Sequence, residues 1–134
     1  MKARFIIQAM GSPKKLLMKT ITNIKDSLKK NYKIEDEFLD KPKKSGDSFF
    51  ITFLEITISF NSIEDCFDFM MKYTPTTMEI IKPFKFELSA GELENISNDI
   101  LGKVHEMDKK LKTQISVNKI LSRKVIRSNT ARKL

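Results

Sequence analysis

The sequence predicts an α+β fold: a βαββαβ antiparallel sheet with two helices on one face, continued by a long C-terminal helical extension. Three observations carry this. Apolar residues alternate in four stretches and recur at helical spacing in two, in the order strand, helix, strand, strand, helix, strand. Cap and turn residues fall between those stretches. From residue 89 onward one helical stripe runs on with no further strand signal.

The first strand is "ARFIIQAM", residues 3 to 10, closed by Gly11. "GSP" predicts a helix entry, with Ser12 as N-cap and Pro13 at the first helical position, where its missing N–H costs nothing. Leu17, Ile21, Ile24 and Leu28 then recur at steps of four, three and four, one face of a helix ending near Asn31. In "YKIEDEF", Tyr32, Ile34 and Phe38 alternate with charge, which predicts a strand wet on one side, with Glu35 and Glu37 sharing a face. "LDKPKKSGDS" is the clearest turn.

Residues 49 to 60 predict a long strand with Phe50, Leu54, Ile56, Ile58 and Phe60 on one side. On its other side Phe49, Ile51 and Phe53 give way to Glu55, Thr57 and Ser59, so half of the strand is expected to be covered on both faces. "NSIED" opens the second helix with Ser62 as cap and Asp65 at the third helical position. Its buried side is expected to be Ile63, Cys66, Phe67, Met70 and Met71, and Pro75 stops it. "TMEIIKPFKFEL", residues 77 to 88, predicts the last strand, at an edge or bulged because of Pro83. In a chain of 134 residues this order most often builds the ferredoxin-like sandwich.

Residues 1 to 88 thus form the domain and residues 89 to 134 the extension. A capping box from Ser89 to Glu92 opens the latter. Leu93, Ile96, Ile100, Val104, Met107, Leu111 and Ile115 advance by 3, 4, 4, 3, 4 and 4, the eleven-residue repeat of a nearly straight helix. A break is allowed at "ISVN", residues 115 to 118, before the helix resumes toward Arg127. A stripe this regular is expected to be an interface, with Leu93, Ile96, Ile100, Val104, Met107 and Leu111 as its residues.

Charge is as uneven as hydropathy. Residues 1 to 108 hold 16 bases and 17 acids, whereas residues 109 to 134 hold nine bases and no acid. All of the net +8 therefore comes from the last fifth of the chain, an asymmetry that points to a charged partner surface. The opening "MKARFIIQAMGSPKK" is a poor signal peptide, and "FFITFLEITISF" falls well below the roughly 20 apolar residues of a spanning helix. The chain is expected to be cytoplasmic, without a membrane partner.

Little in the sequence points to catalysis. Cys66, the single cysteine, excludes an intrachain disulfide and a CxxC metal site, and its place among Phe67 and Met70 makes it a small hydrophobe. His105 is the one histidine, flanked by Glu106 and Asp108, and it reads as a helical surface residue rather than a general base. Gly11, Gly46, Gly91 and Gly102 form no phosphate-binding spacing. "EDEFLD" offers Glu35, Glu37 and Asp40 to a divalent cation, but a solvated strand face accounts for them more simply. No catalytic residue, metal, cofactor or small-molecule ligand is expected, and the protein is read as a non-enzyme.

The element order and "GDSFFITF", residues 46 to 53, resemble RNA-recognition motifs, with Phe50, Ile51 and Phe53 matching the longer family signature. Ser48 stands where that family has an aromatic, and Phe49 replaces its small residue. The resemblance implies single-stranded RNA stacked on the sheet, with Phe5 and Phe50 as stacking residues. The Ile-, Lys- and Phe-heavy usage, with a small domain and an added helix, also resembles small uncharacterised proteins of methanogenic archaea, which implies no particular activity.

These readings converge on a binding or accessory protein. On a helix from 109 to 126 the bases lie largely outside the apolar stripe, so Lys109, Lys110, Lys112, Lys119, Arg123, Lys124 and Arg127 are the expected phosphate contacts, with RNA the favoured nucleic acid. The alternative is a structural or regulatory homodimer, or another homo-oligomer, whose long helix is the protein–protein interface.

Overall fold

The computed structural model describes the backbone of residues 1–133 and the side chains of residues 1–126. Its chain divides into two compact units, Met1–Ser89 and a second from Ala90 onward. The first holds β1 (Lys2–Gly11), α1 (Lys14–Asn31), β2 (Lys33–Leu39), β3 (Lys43–Ser45), β4 (Phe49–Ser59), α2 (Ile63–Tyr73) and β5 (Thr77–Lys82). These build a mixed α+β domain around one antiparallel sheet of five strands, in the order β2-β4-β1-β5 with β3 paired to the outer end of β4.

Alternation decides what is buried. Ala3, Phe5 and Ile7 of β1 stand opposite Ile58, Ile56 and Leu54 of β4, and all six point into one core. Onto that side α1 lays Ile21 and Leu28, and α2 lays Cys66 and Phe69. Each fully buried aliphatic or aromatic side chain contributes about 1.5–3 kcal/mol, which is why this cluster orders the unit. Phe5, Tyr32, Phe60, Phe69 and Tyr73 form an aromatic knot within it, with Phe5 and Phe69 rings 4.6 Å apart and Phe69 and Tyr73 stacked at 5.1 Å. Thr52 is the one fully buried polar residue of this side, and its Oγ1 donates to the Asp40 carbonyl at 2.7 Å.

Several expectations need correction. Helix α1 begins at Lys14, with Pro13 as its N-cap and no side-chain cap from Ser12; the Pro13 carbonyl accepts from Leu16 and Leu17 instead. The turn at 39–48 contains the short strand β3, joined to β4 by a three-residue loop whose Gly46 takes φ +68, a conformation that favours glycine. The last strand stops at Lys82 because Pro83 cannot donate to a ladder. The buried side of α2 is Cys66 and Phe69, not Phe67. Its N-terminus forms as expected: Ser62 Oγ accepts from the Asp65 N–H at 3.2 Å.

Strand β2 departs furthest from simple alternation. A bulge between Ile34 and Asp36 shifts its phase, so Glu37 pairs with Ile56 on the core side while Phe38 pairs with Glu55 on the opposite, open side. Glu37 then meets Lys29 of α1 at 2.6 Å, and Glu35 meets Lys2 of β1 at 2.5 Å. The two carboxylates expected on one face are therefore separated to two ion pairs. The open side of β4 is also barer than expected, since Phe49 and Phe53 remain exposed.

The second unit is a single helix, α3 (Ala90–Lys133), unbroken through residues 115 to 118. It contains no proline, and its two glycines, Gly91 and Gly102, lie in its N-terminal third. At about 1.5 Å per residue its 44 residues extend roughly 66 Å.

Candidate nucleic-acid interface

The basic residues of α3 are placed by helical period alone. Lys109, Lys110, Lys112, Lys119, Arg123 and Lys124 are all exposed; the side chain of Arg127 lies outside the described residues. Lys112, Lys119 and Arg123, spaced by seven and four, form one row along the helix. Within the set, Lys112 has an ion pair, to Asp108 one turn before it at 2.8 Å. An exposed i,i+4 pair of this kind contributes about 0.3–0.5 kcal/mol and does not remove the local excess of positive charge.

The six interface residues expected from the stripe also lie on α3, but they differ in exposure. Ile96 is buried and Ile100 half-buried, whereas Leu93, Val104, Met107 and Leu111 are each more than half exposed. From Leu101 to Ile126 every side chain is exposed, on the apolar and the basic side alike.

The stacking pair is not assembled. Phe5 is fully buried in the core, against Phe60 and Phe69, and no base can reach it. Phe50 shares the side of β4 that carries Thr52 and Leu54 and is half-buried. The open side presents Phe38, Phe49 and Phe53 instead, beside an ion-pair group in which Arg4 lies 3.5 Å from Glu55 and 3.3 Å from Glu79. The odd-numbered phase of β4 was the signal that could have found Phe49 and Phe53; Phe38 was hidden by the bulge.

The remaining candidates for chemistry are isolated. Burial pushes the Cys66 thiol up to about 11, away from the thiolate that reactivity requires. His105 is exposed on α3. A cleft of about 370 Å³ is lined by Asn31, Tyr32, Ser59, Phe60, Asp65 and Asp68. Burial, followed by the charge of Tyr73 and of the two aspartates, raises the Tyr32 phenol. Among the described residues no group of three or more His, Cys, Asp and Glu side chains could hold a metal ion. Nor is any helix among them long and apolar enough to cross a membrane.

Fold and helix together define a class: a small α+β domain protein with a long, basic helical extension. The chain belongs to the MJ0538 family, named after a methanogen archaeal protein, whose family model matches residues 2–127. That agrees with the likeness to small archaeal proteins drawn from composition. No curated protein and no solved structure matches the chain.

Proposed function

We propose that the protein is a non-catalytic binding or accessory protein that associates with nucleic acid, RNA foremost, through the basic C-terminal part of α3. One observation carries this: residues 109 to 134 hold nine bases and no acid, and the six of those bases between 109 and 126 stand exposed on a helix. Phosphates would supply the missing counter-charge, and release of their condensed cations would drive a sequence-independent association. The domain of residues 1–89 is read as a ferredoxin-like frame. That reading is supported by the order β2-β4-β1-β5, once β3 is set aside, and by the shared core of α1 and α2.

Polarisation of a labelled single-stranded RNA with the full chain, at rising salt, tests the reading. Each phosphate neutralised on a single strand contributes about −0.7 to the slope of log K against log salt. Substituting Lys112, Lys119 and Arg123 together by Gln removes one row and is expected to flatten the slope by about 2. Absence of binding at low salt overturns the proposal, and an unchanged slope overturns the assignment to this row.

A second reading, a homodimer built on the long helix, is favoured by a different observation, the exposure of Val104, Met107 and Leu111 on a regular stripe.

A further inference from the structure

Val104, Met107, Leu111 and Ile115 are 54%, 61%, 60% and 45% exposed, although they continue a stripe whose spacing is that of a buried helix face. The charge along α3 indicates what covers them. Residues 90 to 108 carry five acids and one base, and residues 109 to 133 carry nine bases and no acid. We propose that α3 pairs antiparallel with α3 of a second copy of this chain, centred near Leu111. The proposal rests on the self-association reading, not on the nucleic-acid one.

A parallel pair would set nine positive charges beside the same nine, and acids beside acids. An antiparallel pair lays the acidic half of each helix along the basic half of the other, so the helix is its own complement. Any other partner would have to reproduce that pattern. A membrane surface does not: residues 109 to 134 contain no aromatic side chain to anchor in it, and the acids of the N-terminal half would face anionic lipid.

Register follows from length and stripe. The midpoint of Ala90–Lys133 falls beside Leu111, so end-to-end overlap of two helices centres there. Leu111 then meets Leu111 of the second copy, Met107 meets its Ile115, and Val104 meets its Asn118. Asp108, at the edge of the stripe, comes level with residue 114 of the second copy, about 3 Å along the axis from its Lys112 and about 7.5 Å from its Lys119. The eleven-residue spacing keeps the stripe nearly straight, so the two helices can stay in contact over several turns.

Cross-linking of the full chain tests this. Val104→Cys and Asn118→Cys are made separately, mixed and mildly oxidised; Cys66 is retained because its thiol is buried, with the unsubstituted chain as control. The mixture is expected to form a 104–118 disulfide. Neither variant alone should link to itself, because 14 residues along the helix separate like positions by about 21 Å. Self-linked variants without a mixed product mean a parallel pair and overturn the proposal while leaving self-association standing. Sedimentation equilibrium is expected to give a dimer for the unsubstituted chain, weakening as salt rises, and a monomer for Leu111→Glu, whose exposed position makes no core contact. A monomer for the unsubstituted chain at the highest attainable concentration overturns both the pairing and self-association. RNA is absent from every arm, so the nucleic-acid reading stands or falls separately.

Discussion

Replacing Phe69 by Ala should cost the domain far more than replacing Phe67, its neighbour by two on α2. Phe69 is fully buried, with ring centroids 4.6 Å from Phe5, 5.1 Å from Tyr73, 5.3 Å from Tyr32 and 5.8 Å from Phe60. A core Phe→Ala change costs about 3–5 kcal/mol, and loss of ring pairs that are each worth roughly 0.5–1.5 kcal/mol beyond area places Phe69→Ala near the top of that range. Phe67 is half-buried and belongs to none of these pairs, so removing its ring forfeits about half of a full burial, roughly 1 kcal/mol. In a unit of 89 residues each kcal/mol moves Tm by about 4–8 °C, so Phe69→Ala should lower it by more than about 15 °C. Urea unfolding followed by tyrosine fluorescence reads this unit alone, because both tyrosines lie in the same aromatic knot. The midpoint should fall with the slope unchanged. Equal losses for the two variants, or a larger one for Phe67→Ala, would refute the packing described for α2.

Two further outcomes are expected. The hydrogen bond from Lys2, 2.5 Å away, holds the Glu35 carboxyl below its ordinary 4.5; a folded-state value depressed in this way stabilises above the unfolded value and is lost as pH falls through the folded one. Glu35→Gln should therefore be less stable than the parent in urea at neutral pH and equal to it once both are below that range, and an equal gap at both pH values would contradict the pairing. Ellman's reagent at pH 8 should find no thiol in the native chain and one in denaturant, because burial keeps Cys66 protonated to about 11; rapid native labelling would contradict its place in the core.

Where one periodicity dominated, the sequence was sufficient. Leu17, Ile21 and Leu28 could lie only on one face of a helix, and Leu54, Ile56, Ile58 and Phe60 only on one side of a strand, and both are buried as expected. Helix α2 is apolar almost all round, with Ile63, Cys66, Phe67, Phe69, Met70, Met71 and Tyr73 in eleven residues, so spacing admitted two adjacent faces and the sheet chose between them. The bulge in β2 left no trace in residue type: one unpaired position exchanged the sides of Glu37 and Phe38 without any glycine or proline to mark it. Phe5 was misplaced as a stacking residue for a related reason. A phenylalanine in a strand has the same period whether it faces the helices or the open side, and only the register with Ile56 fixes which. On α3 the bases and the stripe could both be read from the sequence, because the 3.6-residue period alone decides which residues share a face of a helix.

Self-pairing and phosphate binding both call on the lysines of α3, but the charge count keeps the two proposals compatible. Residues 90 to 133 hold ten bases and five acids, so each helix of an antiparallel pair retains a net +5 even if every acid is matched. In the register centred on Leu111, residues 119 to 133 lie along residues 89 to 103 of the other copy, where Glu92, Glu94 and Asp99 oppose six bases and Lys103 adds one more. The excess thus remains where the phosphate contacts were assigned, and it is doubled by the second copy. The proposed pairing rests on the apolar side chains of Val104, Met107 and Leu111, and the proposed phosphate binding on bases such as Lys119, Arg123 and Lys124. Because rising salt weakens both associations, salt dependence does not separate them, whereas substitutions do: Leu111→Glu is expected to alter the first, and a charge change at Lys119 or Arg123 the second more strongly.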